Sequence, residues 1–283
     1  MHIPPKVILF PTDFSSRCDR PLARALKLAR QWNSRLILLH ILEDRKPPRP
    51  DSEESREEAR LVEKLREDID ADDVNLEIRL GHGDVASTVA AAVDELGADL
   101  VVTGVARYNE FGDFVLGTTV DRLIRRSRAP VLIVKQRVRH DYRDILVASD
   151  FSTCSAHALK VAGALFTDAR FHLAHAFHVP FSGFIDKQTA MPELQAHAET
   201  DLRAFLQEAN MPASIAGRVV PHLDYGEVCS MVRRVGRDFG TDLAVIGTHG
   251  RSGFIATMIG SVAEALLSCL DSDVLMVREL PGA

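Results

Sequence analysis

A chain of 283 residues with 46% hydrophobic and 26% charged side chains is globular in composition, which excludes wholesale disorder; its length suits two domains of about 140 residues each. Thirty-four Lys and Arg against 40 Asp and Glu leave a net charge of −6. That balance counts against nucleic acid, whose phosphates call for a basic face.

The chain starts Met1-His2-Ile3-Pro4-Pro5 and runs straight into an apolar strand, without the charged segment and longer apolar stretch of a signal peptide. No run reaches the ~18 apolar residues of a membrane span. Cys18, Cys154, Cys229 and Cys269 form no C-x-x-C pair, so zinc-ribbon and thioredoxin-type motifs are absent and reduced thiols are expected. The expectation is a cytoplasmic protein that touches neither membrane nor nucleic acid.

Short runs rich in Val, Ile and Leu read as strands buried on both faces. In chain order they are Val7–Phe10, Leu36–His40, Leu76–Leu80, Leu100–Thr103 and Val131–Val134, then Ile145–Ala148, Phe171–Ala176, Ile215–Val220, Leu243–Ile246 and Val274–Val277. Helices fall between them. Pro21–Trp32 repeats apolar residues at helical spacing, and Asp84–Leu96 does the same behind a capping Asp84. Two variable segments, Glu43–Glu58 and Val179–Pro192, are expected beside a ligand crevice, as loops that follow strand ends are in open α/β sheets.

The two series repeat each other. Pro11-Thr12-Asp13-Phe14-Ser15 returns as Ala148-Ser149-Asp150-Phe151-Ser152, with Asp13 and Asp150 137 apart. Gly83, Gly104 and Gly117 return as Gly226, Gly247 and Gly260, all 143 apart. Strand–helix alternation requires right-handed crossovers and a parallel sheet. The expectation is therefore two tandem doubly wound α/β domains, 1–138 and 139–283. The charged segment Lys135–Arg143, with no Gly/Ser tether, leads to the expectation that they pack together.

Gly247-Thr248-His249-Gly250-Arg251 follows the fourth strand of the second copy, and Gly260-Ser261-Val262 opens a helix. Glycines let backbone amides approach a bulky anion, and a helix N-terminus favours phosphate. A Gly-rich turn with a capped helix explains the same letters without a ligand. No P-loop occurs.

Gly247, Gly250, Gly260 and Ser261 fit G-x2-G-x9-G-[ST], and Asp150 ends the first strand of its copy. In both features the chain resembles the nucleotide-binding branch of the universal stress protein family, and the resemblance covers essentially both copies. It implies five parallel strands per domain in the order 3-2-1-4-5, paired as an internal pseudo-dimer, with a homodimer and an unknown protein partner left open. It also implies a stress-response role with ATP, with or without Mg2+, or a related adenine nucleotide as regulatory ligand. Carried over, Asp150 meets the ribose with Ser149 beside it, Ala176 sits by the adenine and Gly226 leaves it space. Ile246 and Gly247 flank ribose and phosphates; Gly250, Arg251, Gly260, Ser261 and Val262 hold the phosphates. A nucleotide-independent interaction scaffold is the competing function. No catalytic residue is assigned, and slow ATP hydrolysis is left open.

The first copy departs from this pattern. Asp13, Gly104, Gly117 and Thr118 match, but Arg107 stands where the second glycine belongs, and Glu110 follows. The first site is expected to be degenerate.

Three other patterns in the chain give weaker signals. Gly81-His82-Gly83-Asp84-Val85-Ala86 fits a dinucleotide fingerprint but follows the third strand rather than the first. His172 and His178 share a strand face while His175 points away, which disfavours a three-histidine metal site. Ser16 and Ser152 lack a nucleophile elbow and read as helix caps, and Asp51-Ser52-Glu53-Glu54 reads as an acidic helix start.

Overall fold

The computed structural model describes residues 2–43, 45–105, 107–108, 114–115, 118–177, 187–250 and 259–279. The chain divides into two compact units, Met1–Arg139 and His140–Ala283.

In the first unit the elements run β1 (Val7–Pro11), α1 (Asp19–Trp32), β2 (Arg35–Leu42), α2 (Glu53–Glu67), β3 (Leu76–His82), α3 (Val85–Leu96) and β4 (Leu100–Gly104). A small antiparallel pair follows, β5 (Arg107–Tyr108) with β6 (Phe114–Val115), then α4 (Thr118–Arg126) and β7 (Val131–Val134). The main sheet is parallel with neighbours β3-β2-β1-β4-β7. Ile8, Leu9, Phe10 and Leu36 to Leu38 have no solvent exposure, because helices cover both faces of the central strands. Each such side chain contributes about 1.5–3 kcal/mol of burial. The edge strand β3 is only half-buried.

The second unit runs β8 (Asp144–Ala148), α5 (Thr153–Leu165), β9 (Arg170–Phe177), α6 (Lys187–Glu208), α7 (Ala213–Ala216), β10 (Val219–Tyr225), α8 (Val228–Asp238), β11 (Leu243–Gly247), α9 (Ser261–Cys269) and β12 (Asp273–Val277). Its sheet is also parallel, with neighbours β10-β9-β8-β11-β12. Both units thus have the expected 3-2-1-4-5 order.

Several boundaries differ from the sequence reading. Ile215 belongs to α7, where the Ile215 and Ala216 amides donate to the Pro212 carbonyl, so the strand starts at Val219. Ile215 instead fills the space left by Gly163, where a Cβ would come 2.5 Å from its Cδ1. Residues 187–192, read as loop, are the start of α6, and Pro192 within it removes only one helical N–H. The repeat offset also shifts at the second strand. Thr12 N bonds Leu39 O as Ser149 N bonds Ala174 O, an offset of 135 between 39 and 174. The two-residue shift is a net one: the 3-10 turn delays α1 by three residues relative to α5, α1 is one residue longer, and the step from its end to the next strand, closed by Asn33 in the left-handed region, is two residues shorter.

Capping follows the letters in three places. Asp84 accepts from Ser87 N, Ser52 from Ser55 N, and Ser152 from Ser155 N. Ser16 does not cap. It opens a 3-10 turn, Ser16–Cys18, which moves the start of α1 to Asp19.

Candidate functional site

In each unit the sheet order reverses between two strands, β1 and β4 in the first, β8 and β11 in the second. Chains leaving their carboxyl ends diverge there and open a crevice. The Asp-Phe-Ser turn forms one wall in both. Asp13 Oδ1 accepts from Ser15 N at 2.9 Å, and Asp150 Oδ1 from Ser152 N at 3.1 Å. Phe14 and Phe151 take φ of +55° and +61°, a conformation that costs a β-carbon-bearing residue about 1–2 kcal/mol. Phe151 is held there by stacking on His175, centroids 4.0 Å apart, with Phe205 of α6 behind it. His175 Nδ1 is 2.8 Å from the Ser149 carbonyl, and His40 repeats the bond to Thr12 O at 2.9 Å. These histidines hold the crevice wall, and the sequence reading missed that role.

The second crevice encloses about 290 Å³. It brings together Ser149, Asp150, Ala176, Ile246, Gly247, Gly250, Gly260, Ser261 and Val262. It adds Ser155, His175, His249, Val228 and Leu266, which the motif did not mark. Gly226 is not among the lining residues. It follows β10 directly at φ +139°, a conformation that itself calls for glycine. Arg251 lies outside the described residues.

The Ser149 hydroxyl is engaged with Ser155 Oγ at 2.9 Å and with the Phe151 amide at 3.0 Å. Gly247 is a glycine because a Cβ there would come 2.9 Å from Cys154 Sγ and 3.2 Å from the Cys154 main chain. Gly250 faces the carboxylate, since a Cβ at that position would lie 2.6 Å from Asp150 Oδ2. Gly260 is the N-cap of α9 and provides no side-chain cap. The first amides of α9 therefore open onto the crevice with the positive end of the helix dipole behind them.

The first crevice encloses about 270 Å³ and contains Asp13, Arg17, Cys18, His40, Glu43 and Gly104. Burial raises the Asp13 carboxyl, but bonds from Ser15 and Cys18 and the charge of Arg17 outweigh it and leave its pKa below the ordinary value. Gly104 makes room for Pro21, whose Cγ would be 2.9 Å from a Cβ. Gly117, and the side chains of Arg107 and Thr118, lie outside the described residues.

His172 is buried and bridges two partners, Asp144 Oδ1 at 3.1 Å and His222 Nε2 at 3.0 Å, with Phe239 stacked on it at 4.4 Å. His178 lies outside the described residues. Burial, then the nearby His172 and Arg234, lowers the His222 pKa below 6.5, with Asp238 opposing. A histidine with a depressed folded pKa favours folding above its unfolded value and weakens it as pH falls below that value. The melting temperature should accordingly hold steady above pH 6.5 and drop below it. His222→Gln should flatten part of that drop, as thermal melts across the range would show; an unchanged profile would contradict the assignment.

Two doubly wound units, each with a crevice at its switch point, make this a duplicated α/β protein with a ligand-sized cavity in each copy. The family model described as Universal stress protein family matches residues 5–135 and again 141–278. The chain belongs to the universal stress protein family. Universal stress protein E of Photorhabdus laumondii is 21% identical over 192 residues, 64% of this chain and 61% of its own length. The chain thus spans less than two thirds of that relative. Universal stress protein MJ0577 of Methanocaldococcus jannaschii is 24% identical over 165 residues, 48% of this chain and 99% of its own. Among solved structures, a functionally unknown protein, PA1789 of Pseudomonas aeruginosa PAO1, gives a TM-score of 0.67 at 22% identity, covering 97% of this chain and 92% of its own. A universal stress protein of Archaeoglobus fulgidus gives 0.64 at 17%, covering 96% and 98%. These likenesses bear on the fold. Among the described residues no helix is long and apolar enough to cross a membrane.

Proposed function

We propose that the second unit binds ATP, or a related adenine nucleotide, as a regulatory ligand in a stress response. One observation carries the reading: the uncapped first turn of α9, the Gly247–Gly250 turn and the Asp150 carboxylate converge on one cavity. Phosphates would take the α9 amides and the Ser261 hydroxyl, where anions are favoured by about 0.3–2 kcal/mol per charge near the helix end. The Asp150 carboxylate would accept from ribose hydroxyls. Ala174, Ala176 and Val228 give an apolar wall for the base.

Among the described residues the first crevice differs in its charges. It faces phosphate with two carboxylates, Asp13 and Glu43, whereas Asp150 is the one carboxylate among the described lining residues of the second. Two negative groups repel a polyphosphate, and Arg17 offsets only one of them.

Denaturing the purified protein and analysing the supernatant for released nucleotide tests the reading. An adenine nucleotide is expected there, together with a rise in melting temperature on adding Mg-ATP. A clean supernatant and an unmoved melting temperature would reject it in favour of a nucleotide-independent scaffold.

A further inference from the structure

The two units differ where their last two helices meet. In the first unit the end of α4 is bonded to the start of α3. Arg126 donates to Ser87 Oγ and stands 3.7 Å from Asp84, the N-cap of α3. Asp84, Ser87 and Arg126 return 143 residues later as Glu227, Ser230 and Cys269. Glu227 caps α8 as Asp84 caps α3, accepting from Cys229 N at 2.8 Å and Ser230 N at 2.6 Å. Helices α4 and α9 are nine residues each, so Cys269 ends α9 where Arg126 ends α4. The end of α9 thus reaches the start of α8 as well, with a thiol in place of a guanidinium. The group it meets there is the thiol of Cys229, its hydrogen-bond partner. Both cysteines are half-buried and free. The other two thiols are engaged elsewhere: Cys18 donates to Asp13 Oδ1 at 3.1 Å, and the buried Cys154 to Val277 O at 3.8 Å.

We infer that Cys229 and Cys269 are an oxidative modification site, converted by hydrogen peroxide into an intramolecular disulfide that fastens α8 to α9. The thiolate is the nucleophile in such chemistry. Burial, then Cys229 itself, pushes the Cys269 thiol up to about 12, so Cys229 is the thiol that meets the oxidant. Its sulfur attacks one peroxide oxygen, the O–O bond breaks, and Cys229 becomes a sulfenic acid as water leaves. The Cys269 sulfur then attacks the Cys229 sulfur. The S–O bond breaks, the S–S bond forms, and hydroxide departs with the Cys269 proton as a second water. Two thiols lose two electrons and two protons, and one hydrogen peroxide is reduced to two waters. The covalent link takes the place that the Arg126 contacts hold in the first unit.

Brief treatment of the reduced full chain with hydrogen peroxide, followed by thiol blocking in denaturant and peptide mapping by mass spectrometry, tests this. The thiol count should fall from four to two, with Cys229 and Cys269 joined in one linked peptide and Cys18 and Cys154 blocked as thiols. Dithiothreitol should restore all four. Cys269→Ser should stop at the sulfenic acid of Cys229, trapped by dimedone, and form no link. Cys229→Ser should leave Cys269 a thiol, reacting with peroxide at least about tenfold more slowly than Cys229 does in Cys269→Ser. The unaltered chain carries the decisive result, so the inference stays testable if a variant fails to fold. Four thiols surviving treatment, a link between any other pair, or a bond between two chains would overturn it. Oxidation of Cys229 beyond the sulfenic acid with Cys269 still a thiol would overturn it too.

Discussion

Gly250→Arg should lower the affinity for Mg-ATP at least tenfold, about 1.4 kcal/mol or more. A Cβ at 250 would meet Asp150 Oδ2 at 2.6 Å, so any side chain there displaces the carboxylate. An arginine adds a guanidinium that pairs with Asp150 and places its stem where the ligand would lie. The substitution also copies the first unit, which carries Arg107 at the matching place in the motif. Gly250 is exposed and takes no left-handed conformation, so the fold should survive, with a melting temperature shifted by a few degrees at most. Gly250→Ala isolates the displacement of Asp150 from the bulk and charge of arginine, and should show an intermediate loss. Calorimetric affinity equal to that of the original in Gly250→Arg would mean the phosphates lie elsewhere.

The largest stability effect is expected at Asp99, far from any ligand. Asp99 precedes β4, is 2% exposed, and accepts from the main-chain amides of Lys6 at 2.8 Å and Val7 at 3.3 Å. His2 adds its Nδ1 at 3.2 Å. The carboxylate therefore stitches the start of β1 to its neighbour β4. Asp99→Ala leaves buried amides without an acceptor, at a cost of about 3 kcal/mol. For a unit of this size that is a fall of roughly 10 °C in melting temperature. A calorimetric scan should show the first unit's transition lowered and nucleotide binding in the second unit unaltered. A fall under about 2 °C would show that water replaces the carboxylate.

Much of the architecture was legible because its strands are buried on both faces. Runs such as Leu36–His40 and Val131–Val134 contain nothing but what a covered parallel strand allows. Ile215 was misread for the same reason: an apolar residue close to Val219 and Val220 looks like strand, and only Pro212 and Gly217 reveal the helical turn between. The motif located the crevice but misassigned part of its cause. Gly104 and Gly247 answer to Pro21 and Cys154 across the packing, a demand set by tertiary contact that spacing alone does not display. Gly226 answers to its own φ. Of the glycines marked for phosphate, Gly250 and Gly260 are those whose surroundings face the crevice. His175 stood out only as part of a disfavoured metal cluster, although it repeats His40. Its role in the crevice wall appears only once the Ser149 carbonyl is in place.

The proposed adenine-nucleotide site lies in one of the two crevices, the second. Titration calorimetry of the full chain with Mg-ATP tests it most directly, run beside Gly250→Arg. The expected result is about one tight site per chain, abolished or weakened at least tenfold by the substitution. Two equal sites, no site, or one site indifferent to Gly250→Arg would contradict it.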